Sequence, residues 1–317
     1  MTLDPRRASC AVLMALVLAS SAAGQEKAPP QRETRQPPEK SGKTAPEAGR
    51  APLARAAASL TVKDVQPGLS VIAGFGGNTT VRSTREGLIL VDTKNLGEPY
   101  YNALIGVLTG PAKVVFVTHH HQDHSGNIGS FVKAKVPVIA HENVARYLKT
   151  YVLPQGRPEP PTETFRTDHA VTAGDTKAVA HYYGRGHTGG DIVVHFPDLK
   201  VAAIGDLAFV DGAYVDFDYE GSAVEWSQTL DKLLRLDFTT AIPGHGEPMT
   251  KAAVQASKAR LDKLIAAASV LVKKGTPKKE LMARLRAETP EWRLERPEWS
   301  REAVIDRFYD EIKATLR

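Results

Sequence analysis

Between residues 118 and 125 the chain reads Thr118-His119-His120-His121-Gln122-Asp123-His124-Ser125, directly after the apolar run Val114–Val117. Four metal-ligand side chains, His119, His121, Asp123 and His124, therefore follow one another at the end of a run that reads as a buried strand. In extended backbone, alternate side chains face the same way, so His119, His121 and Asp123 can converge on one point. If the chain turns into a helix after Asp123, His124 swings in beside them, and His120 and Gln122 point away. Imidazole and carboxylate suit zinc and similar borderline metals. A solvated His-rich turn is the competing reading, and the density of ligands after an apolar strand weighs against it.

The sequence limits what else can join such a site. Its single cysteine, Cys10, lies near the start, so the folded part has no disulfide and no thiolate ligand, and a metal site must be built from His, Asp and Glu. Three later segments offer such groups. His187 sits in Gly184-Arg185-Gly186-His187-Thr188-Gly189-Gly190-Asp191, where glycines permit sharp turns and close approach. Asp206 follows the apolar strand Val201–Ile204 through Gly205, a position from which a carboxylate can project into a site. His245 lies in the tight loop Pro243-Gly244-His245-Gly246. Taken singly, each is also an ordinary turn with a polar residue; the set, together with the first motif, favours a site.

The first motif has the spacing H-x-H-x-D-H, and the sequence resembles the metallo-β-lactamase fold superfamily, with the later three motifs in that family's order over about residues 65–250. The resemblance implies an α/β architecture, a four-layer αββα sandwich with metals at one edge between the sheets. It implies that His119, His121 and His187 hold one metal, that Asp123, His124 and His245 hold a second, and that Asp206 bridges them. The expected cofactor is two Zn2+, with iron or manganese as other candidates. Two ions about 3.5–4 Å apart would turn a shared water into a hydroxide nucleophile and polarise a carbonyl, and Asp123 could pass a proton to the leaving group. No serine or cysteine nucleophile is needed, and no G-x-S-x-G is present.

The order of elements agrees with two similar strand-and-helix runs. Strands are expected at Leu69–Phe75, Thr79–Ser83, Leu88–Val91, Lys113–Thr118, Val136–Ala140, Lys177–Tyr183, Asp191–Phe196, Lys200–Ile204 and Thr240–Ile242. Helices are expected at Glu98–Leu108, Gly126–Lys133, Glu142–Lys149 and Ala223–Leu234, with two more closing the chain at about Lys251–Lys274 and Arg301–Leu316. Residues 154–169 read as Pro-rich loop.

Before the folded domain, expected over residues 59–317, come two other segments. Residues 1–24 read as a cleaved signal peptide: Arg6 and Arg7, then the short apolar stretch Ala11–Ala19, then small residues. Residues 25–58, rich in Pro and charge, read as a disordered linker. A secreted or periplasmic protein is therefore expected, with no membrane span in its mature form. The formal charge is +5, but residues 1–58 hold nine Lys/Arg and five Asp/Glu, leaving a net of +1 for the remainder. A nearly neutral domain argues against nucleic acid as a partner and for a small-molecule substrate; oligomeric state is not readable.

Other positions carry less. Asp92 ends a strand and is read equally as a hydrogen-bond partner of a metal ligand or as a turn residue. His141, His169, His181 and His195 read as surface or satisfied core residues. Gly74–Asn78 is a flap over the site or a hairpin turn, and Tyr214, Phe217 and Trp226 shape a substrate pocket or belong to the core. The complete ligand set points to an exported, binuclear, metal-dependent hydrolase of an activated carbonyl: a lactam, lactone, ester or thioester. A true metallo-β-lactamase is one alternative, disfavoured because many of these carry Cys or Ser at the Asp206 position. A mono-iron oxidoreductase resembling persulfide dioxygenases is another, and metal identity separates it from the hydrolase. A non-catalytic binding protein would be marked by lost ligands, and none is lost.

Overall fold

The computed structural model describes residues 59–153, 156–209, 214–286, 292 and 303–317. The signal peptide and linker expected over residues 1–58 lie outside them. The first sheet has seven strands in sequence order: β1 (Thr61–Gln66), β2 (Leu69–Ala73), β3 (Thr79–Thr84), β4 (Gly87–Val91), β5 (Ala112–Val117), β6 (Val138–His141) and β7 (Glu163–Phe165). β1 to β4 form an antiparallel meander; β4, β5, β6 and β7 run parallel. Parallel neighbours need crossovers, supplied by α1 (Glu98–Val107), by α2 (Gln122–Ser125) with α3 (Ile128–Lys133), and by α4 (Glu142–Leu148).

The second sheet has six strands: β8 (Asp168–Ala173), β9 (Thr176–His181), β10 (Val193–Phe196), β11 (Val201–Gly205), β12 (Thr240–Pro243) and β13 (Met249–Thr250), again neighbours in sequence order. Only β11 and β12 pair in parallel, joined through α5 (Ala223–Leu233). The described chain closes with α6 (Lys251–Lys273), α7 (Lys278–Arg286) and α8 (Val304–Thr315).

Side-chain alternation shows how the layers stack. Ile89 and Val91 of β4, and Val114 and Phe116 of β5, pack with Val194 and Phe196 of β10 and Val201 and Ala203 of β11 in one core between the sheets. The intervening Leu88, Leu90, Val115 and Val117 face the other way, onto Leu104 of α1, Phe131 of α3 and Val144 of α4. Likewise Ala202 and Ile204 of β11 face Trp226 and Leu230 of α5, Leu261 and Leu264 of α6, and Phe308 of α8. Strands buried on both faces need continuous apolar runs, which is what β4, β5 and β11 carry. The result is two mixed sheets face to face with helices outside both, the αββα sandwich expected.

Some expectations need correction. Residues 154–169 are not all loop: β7 and the start of β8 lie there. β7 is three residues long with one buried side chain, Phe165, too short to show a period. β1 is an added edge strand whose polar faces are largely exposed. The C-terminal region has three described helices, not two; α7 buries only Leu281 and Leu285 on an otherwise charged segment. No described helix is long and apolar enough to cross a membrane.

Because β4 and β5 are parallel, and β11 and β12 are parallel, each pair delivers its carboxyl ends to one edge. Asp92 follows β4, the His119–His124 segment follows β5, Asp206 follows β11, and His245 follows β12.

Candidate metal centre

α2 begins at Gln122 with His121 as its N-cap, and both His124 and Ser125 donate backbone N–H to the His121 carbonyl. The chain thus turns helical one residue before Asp123, not after it as expected. Asp123 and His124 both still reach the site, since β5 has already brought the segment to the sheet edge. Close backbone approach is enforced at Gly244 and Gly77: a Cβ at Gly244 would collide with Asp206 Oδ1, and one at Gly77 with the His124 imidazole.

All seven side chains expected at the site come together, in two groups that meet at Asp206. In the first, His121 Nδ1 lies 3.1 Å from His119 Nε2 and 3.0 Å from His187 Nε2. In the second, His245 Nε2 stands 3.3 Å from His124 Nε2 and 3.1 Å from Asp123 Oδ2, and His124 Nε2 is 3.4 Å from the same oxygen. Asp206 Oδ2 lies 3.9 Å from His119, 3.7 Å from His187 and 3.7 Å from His245, while its Oδ1 lies 3.5 Å from His124. The first group is buried; the side chains of Asp123 and His245 are 27% and 45% exposed.

Outward hydrogen bonds fix which nitrogens face inward. His187 Nδ1 lies 2.9 Å from the Tyr214 carbonyl, so it carries the proton and leaves Nε2 bare. His121 Nε2 donates to Asp216 Oδ2 at 2.8 Å, which leaves Nδ1 bare. Thr118 Oγ1 gives its proton to Asp92 Oδ2 and therefore accepts from His119 Nδ1, leaving Nε2 bare. His124 Nδ1 donates to Asp92 Oδ2 at 2.8 Å, again leaving Nε2 bare. In the neutral tautomers that these bonds select, lone pairs of three imidazoles face one another at 3.0–3.1 Å, a repulsive arrangement that a bound cation relieves. In a tetrahedral zinc site with Zn–N of about 2.0–2.1 Å, neighbouring ligand atoms are roughly 3.3 Å apart. Asp206 Oδ1, buried and without a hydrogen-bond partner, is an orphan of the kind that binding an ion satisfies. The residues present fit a bound metal.

Asp92 thus meets its hydrogen-bonding reading. It is buried, sits at φ 71°, and accepts from the Thr118 N–H at 2.7 Å as well as from Thr118 Oγ1 and His124. Burial, with His121 beside it, pulls His187 down to about 3, and burial with three neighbouring imidazoles holds His119 well below the usual range. Burial also opposes charge on His121, His124 and Asp123, but their partners outweigh it. The Asp216 hydrogen bond raises His121, Asp123 and Asp206 raise His124, and His124 with His245 holds Asp123 well below the carboxylate range. Asp191, pushed up to about 7 by burial, accepts from Thr188 N and Oγ1 and ties the glycine-rich loop that carries His187.

Two participants escaped sequence reading, Thr118 and Asp216. Thr118 stood inside the motif as a neighbour; Asp216 is one of several acids in a loop, and nothing in its spacing singles it out. His120 faces away from the triad into Tyr147, Tyr151 and Tyr219, with ring centroids 4.2–5.2 Å from its own. Trp226 is core, its Nε1–H donating to the Leu207 carbonyl, with its ring 6.0 Å from that of His187. Phe217 packs partly buried against the same core, and Tyr214 lies against His121. His141, His169, His181 and His195 take other partners, among them the Arg166 and Asp237 carbonyls. The Gly74–Asn78 segment is the β2–β3 turn, and it packs on Asp123 and His124.

The family model described as the metallo-beta-lactamase superfamily matches residues 72–245. The chain belongs to that superfamily, and the relatives it matches are metal-dependent hydrolases. It is 28% identical to metallo-beta-lactamase IND-1 of Chryseobacterium indologenes over 181 residues, 55% of this chain and 73% of that protein. It is 33% identical to the hydroxyacylglutathione hydrolase of Bartonella tribocorum over 132 residues, 41% of this chain and 47% of that enzyme. The metallo-beta-lactamase of Pontibacter korlensis shares the fold with a TM-score of 0.57 at 22% identity, over 64% of this chain and 99% of that one.

Proposed function

We propose that this chain is an exported hydrolase of activated carbonyl compounds that works with two metal ions, zinc by preference. His119, His121 and His187 would hold the first ion and Asp123, His124 and His245 the second, with Asp206 lying between the two groups. The observation that carries the reading is the set of bare nitrogens, fixed by outward hydrogen bonds, facing one another beside the orphaned Asp206 Oδ1. A bound metal pair would supply a water acidified to near neutral pH and a Lewis acid for the carbonyl oxygen.

The protein's own residues do the rest. Thr118, Asp92, Asp216 and the Tyr214 carbonyl keep the imidazoles aimed. Asp123, on the open side with His245, is the carboxylate placed to take a proton and pass it to the leaving atom. A β-lactam and an acylglutathione, named in what the two relatives are called, are both acyl compounds, which supports the substrate class without choosing a member. Export rests on residues 1–24, followed by a linker over residues 25–58 and the catalytic domain over residues 59–317.

Metal content of the protein purified without added metal, followed by a panel of lactams, lactones, esters and thioesters, tests this. Close to two zinc ions per chain and turnover of one of these classes is the expected result. A single iron per chain would replace the hydrolase with a dioxygenase, and no metal even on titration would sink the proposal.

A further inference from the structure

Asp216 is built into its place more firmly than a loop acid needs to be. Its N–H donates to the His187 carbonyl at 2.8 Å, and its own carbonyl accepts from Tyr219 and Gly221. Its Oδ1 accepts from the Asp218 N–H at 3.1 Å, capping the short 3-10 turn Phe217–Tyr219. That leaves Oδ2 aimed at His121 Nε2, 2.8 Å away. The segment is tied down at its far end, where Glu220 pairs with Arg146 and accepts from Tyr147.

His120 closes the surroundings. Its imidazole is fully buried, both ring nitrogens lack hydrogen-bond partners, and Nε2 stands 3.8 Å from Asp216 Oδ2, too far to compete for it. Tyr147, Tyr151 and Tyr219 surround that ring, and Tyr214 Oη stands 3.3 Å from His121 Nε2, so the His121–Asp216 bond lies in a largely buried, aromatic setting, where a charge-assisted hydrogen bond is strengthened.

We propose that Asp216 is the positioning residue of His121. By holding the proton on Nε2 it presents Nδ1 to the first ion, and it sets the affinity of the buried triad. The proposal rests on the metal-site reading above. A flipped or free-turning ring would offer Nε2 instead, at a different place, so the triad would lose one of its three fixed nitrogens. Partners of this kind are worth about 10–100-fold in metal affinity.

The test is competition with a chromophoric chelator for zinc, together with the visible spectrum of the cobalt-substituted protein. Wild type is compared with Asp216→Asn, Asp216→Ala and Glu220→Gln. The first two are expected to lose about 10–100-fold in affinity for the tighter ion and to shift the cobalt bands, with thermal unfolding of the metal-free protein little changed. Glu220→Gln, which loosens the same segment without touching His121, is expected to bind as wild type does. Equal affinity in wild type and both Asp216 variants overturns the inference. So does a loss in Glu220→Gln as large as in Asp216→Ala, since the segment and not its carboxylate would then be responsible. Absence of metal binding by wild type itself overturns the metal-site reading instead.

Discussion

The two groups of side chains that meet at Asp206 are made of the same chemistry but differ in their support. His119, His121 and His187 are buried, and each has its second nitrogen engaged, by Thr118, Asp216 and the Tyr214 carbonyl. In the other group His124 is held by Asp92, whereas Asp123 and His245 keep open faces. A site whose ligands are already aimed binds an ion with little ordering; one with an exposed member must collect it. A symmetric list of candidate ligands in sequence thus becomes an asymmetric pair in space, and on the proposed function one group would keep an ion while the other meets solvent and substrate.

The largest effect should come from breaking the closed half. His119→Ala is expected to remove the tightly held ion and cut hydrolysis on the order of 10³-fold, while His245→Ala keeps that ion and loses at least about tenfold less activity. Metal content and turnover of both variants, measured side by side, check this, and equal losses would erase the distinction. Next, Asp92→Ala removes the partner of His124 and two bonds to Thr118; affinity for the weaker ion should fall about 10–100-fold by chelator competition.

Gly77→Ala presses a methyl group into the His124 ring, which Asp92 holds from the other side. A destabilisation of about 1–3 kcal/mol is expected in urea unfolding, with the second ion weakened and the first untouched. An effect read only through pH concerns Lys94, buried beneath the same turn and donating to the Ile72 and Gly77 carbonyls. Burial pulls its amine down to about 7, below its unfolded value. Between about pH 7 and 10 the unfolded chain binds the extra proton, so stability rises with pH, by at most about 1.4 kcal/mol per unit. Unfolding of the metal-free protein at pH 7 and 9 should show this rise in wild type and a flatter dependence in Lys94→Met.

Much of this was readable in the residues because both sheets are built from strong local patterns. Val114–Val117 and Val201–Ile204 are continuous apolar runs, and the residues just past the end of such a strand must emerge at a sheet edge. That is how His119–His124 and Asp206 could be placed. Edge elements lacked that signal: β1 exposes most of its polar side chains, β7 buries one residue, and α7 buries two. At the site, the candidate ligands, which the structure brings together, could be singled out by type and spacing. Their supports could not, because Asp216 reaches His121 across 95 positions of chain. Thr118 acts through a proton handed to Asp92, a relation visible only once both are in place. The same holds for the direction of the turn at Gln122, set by the His121 carbonyl accepting two backbone N–H groups.

Trp226 gives the buried half an optical readout of its own. Its indole lies 6.0 Å from the His187 ring and edge-on to Trp292, sealed from water in the core beneath α5. An open-shell ion such as cobalt or copper in the triad would drain the excited state of that indole, whereas closed-shell zinc would leave it bright. Which ion sits at the buried end, and how fast it leaves, can therefore be tracked by the protein's own emission, with no substrate in the cuvette.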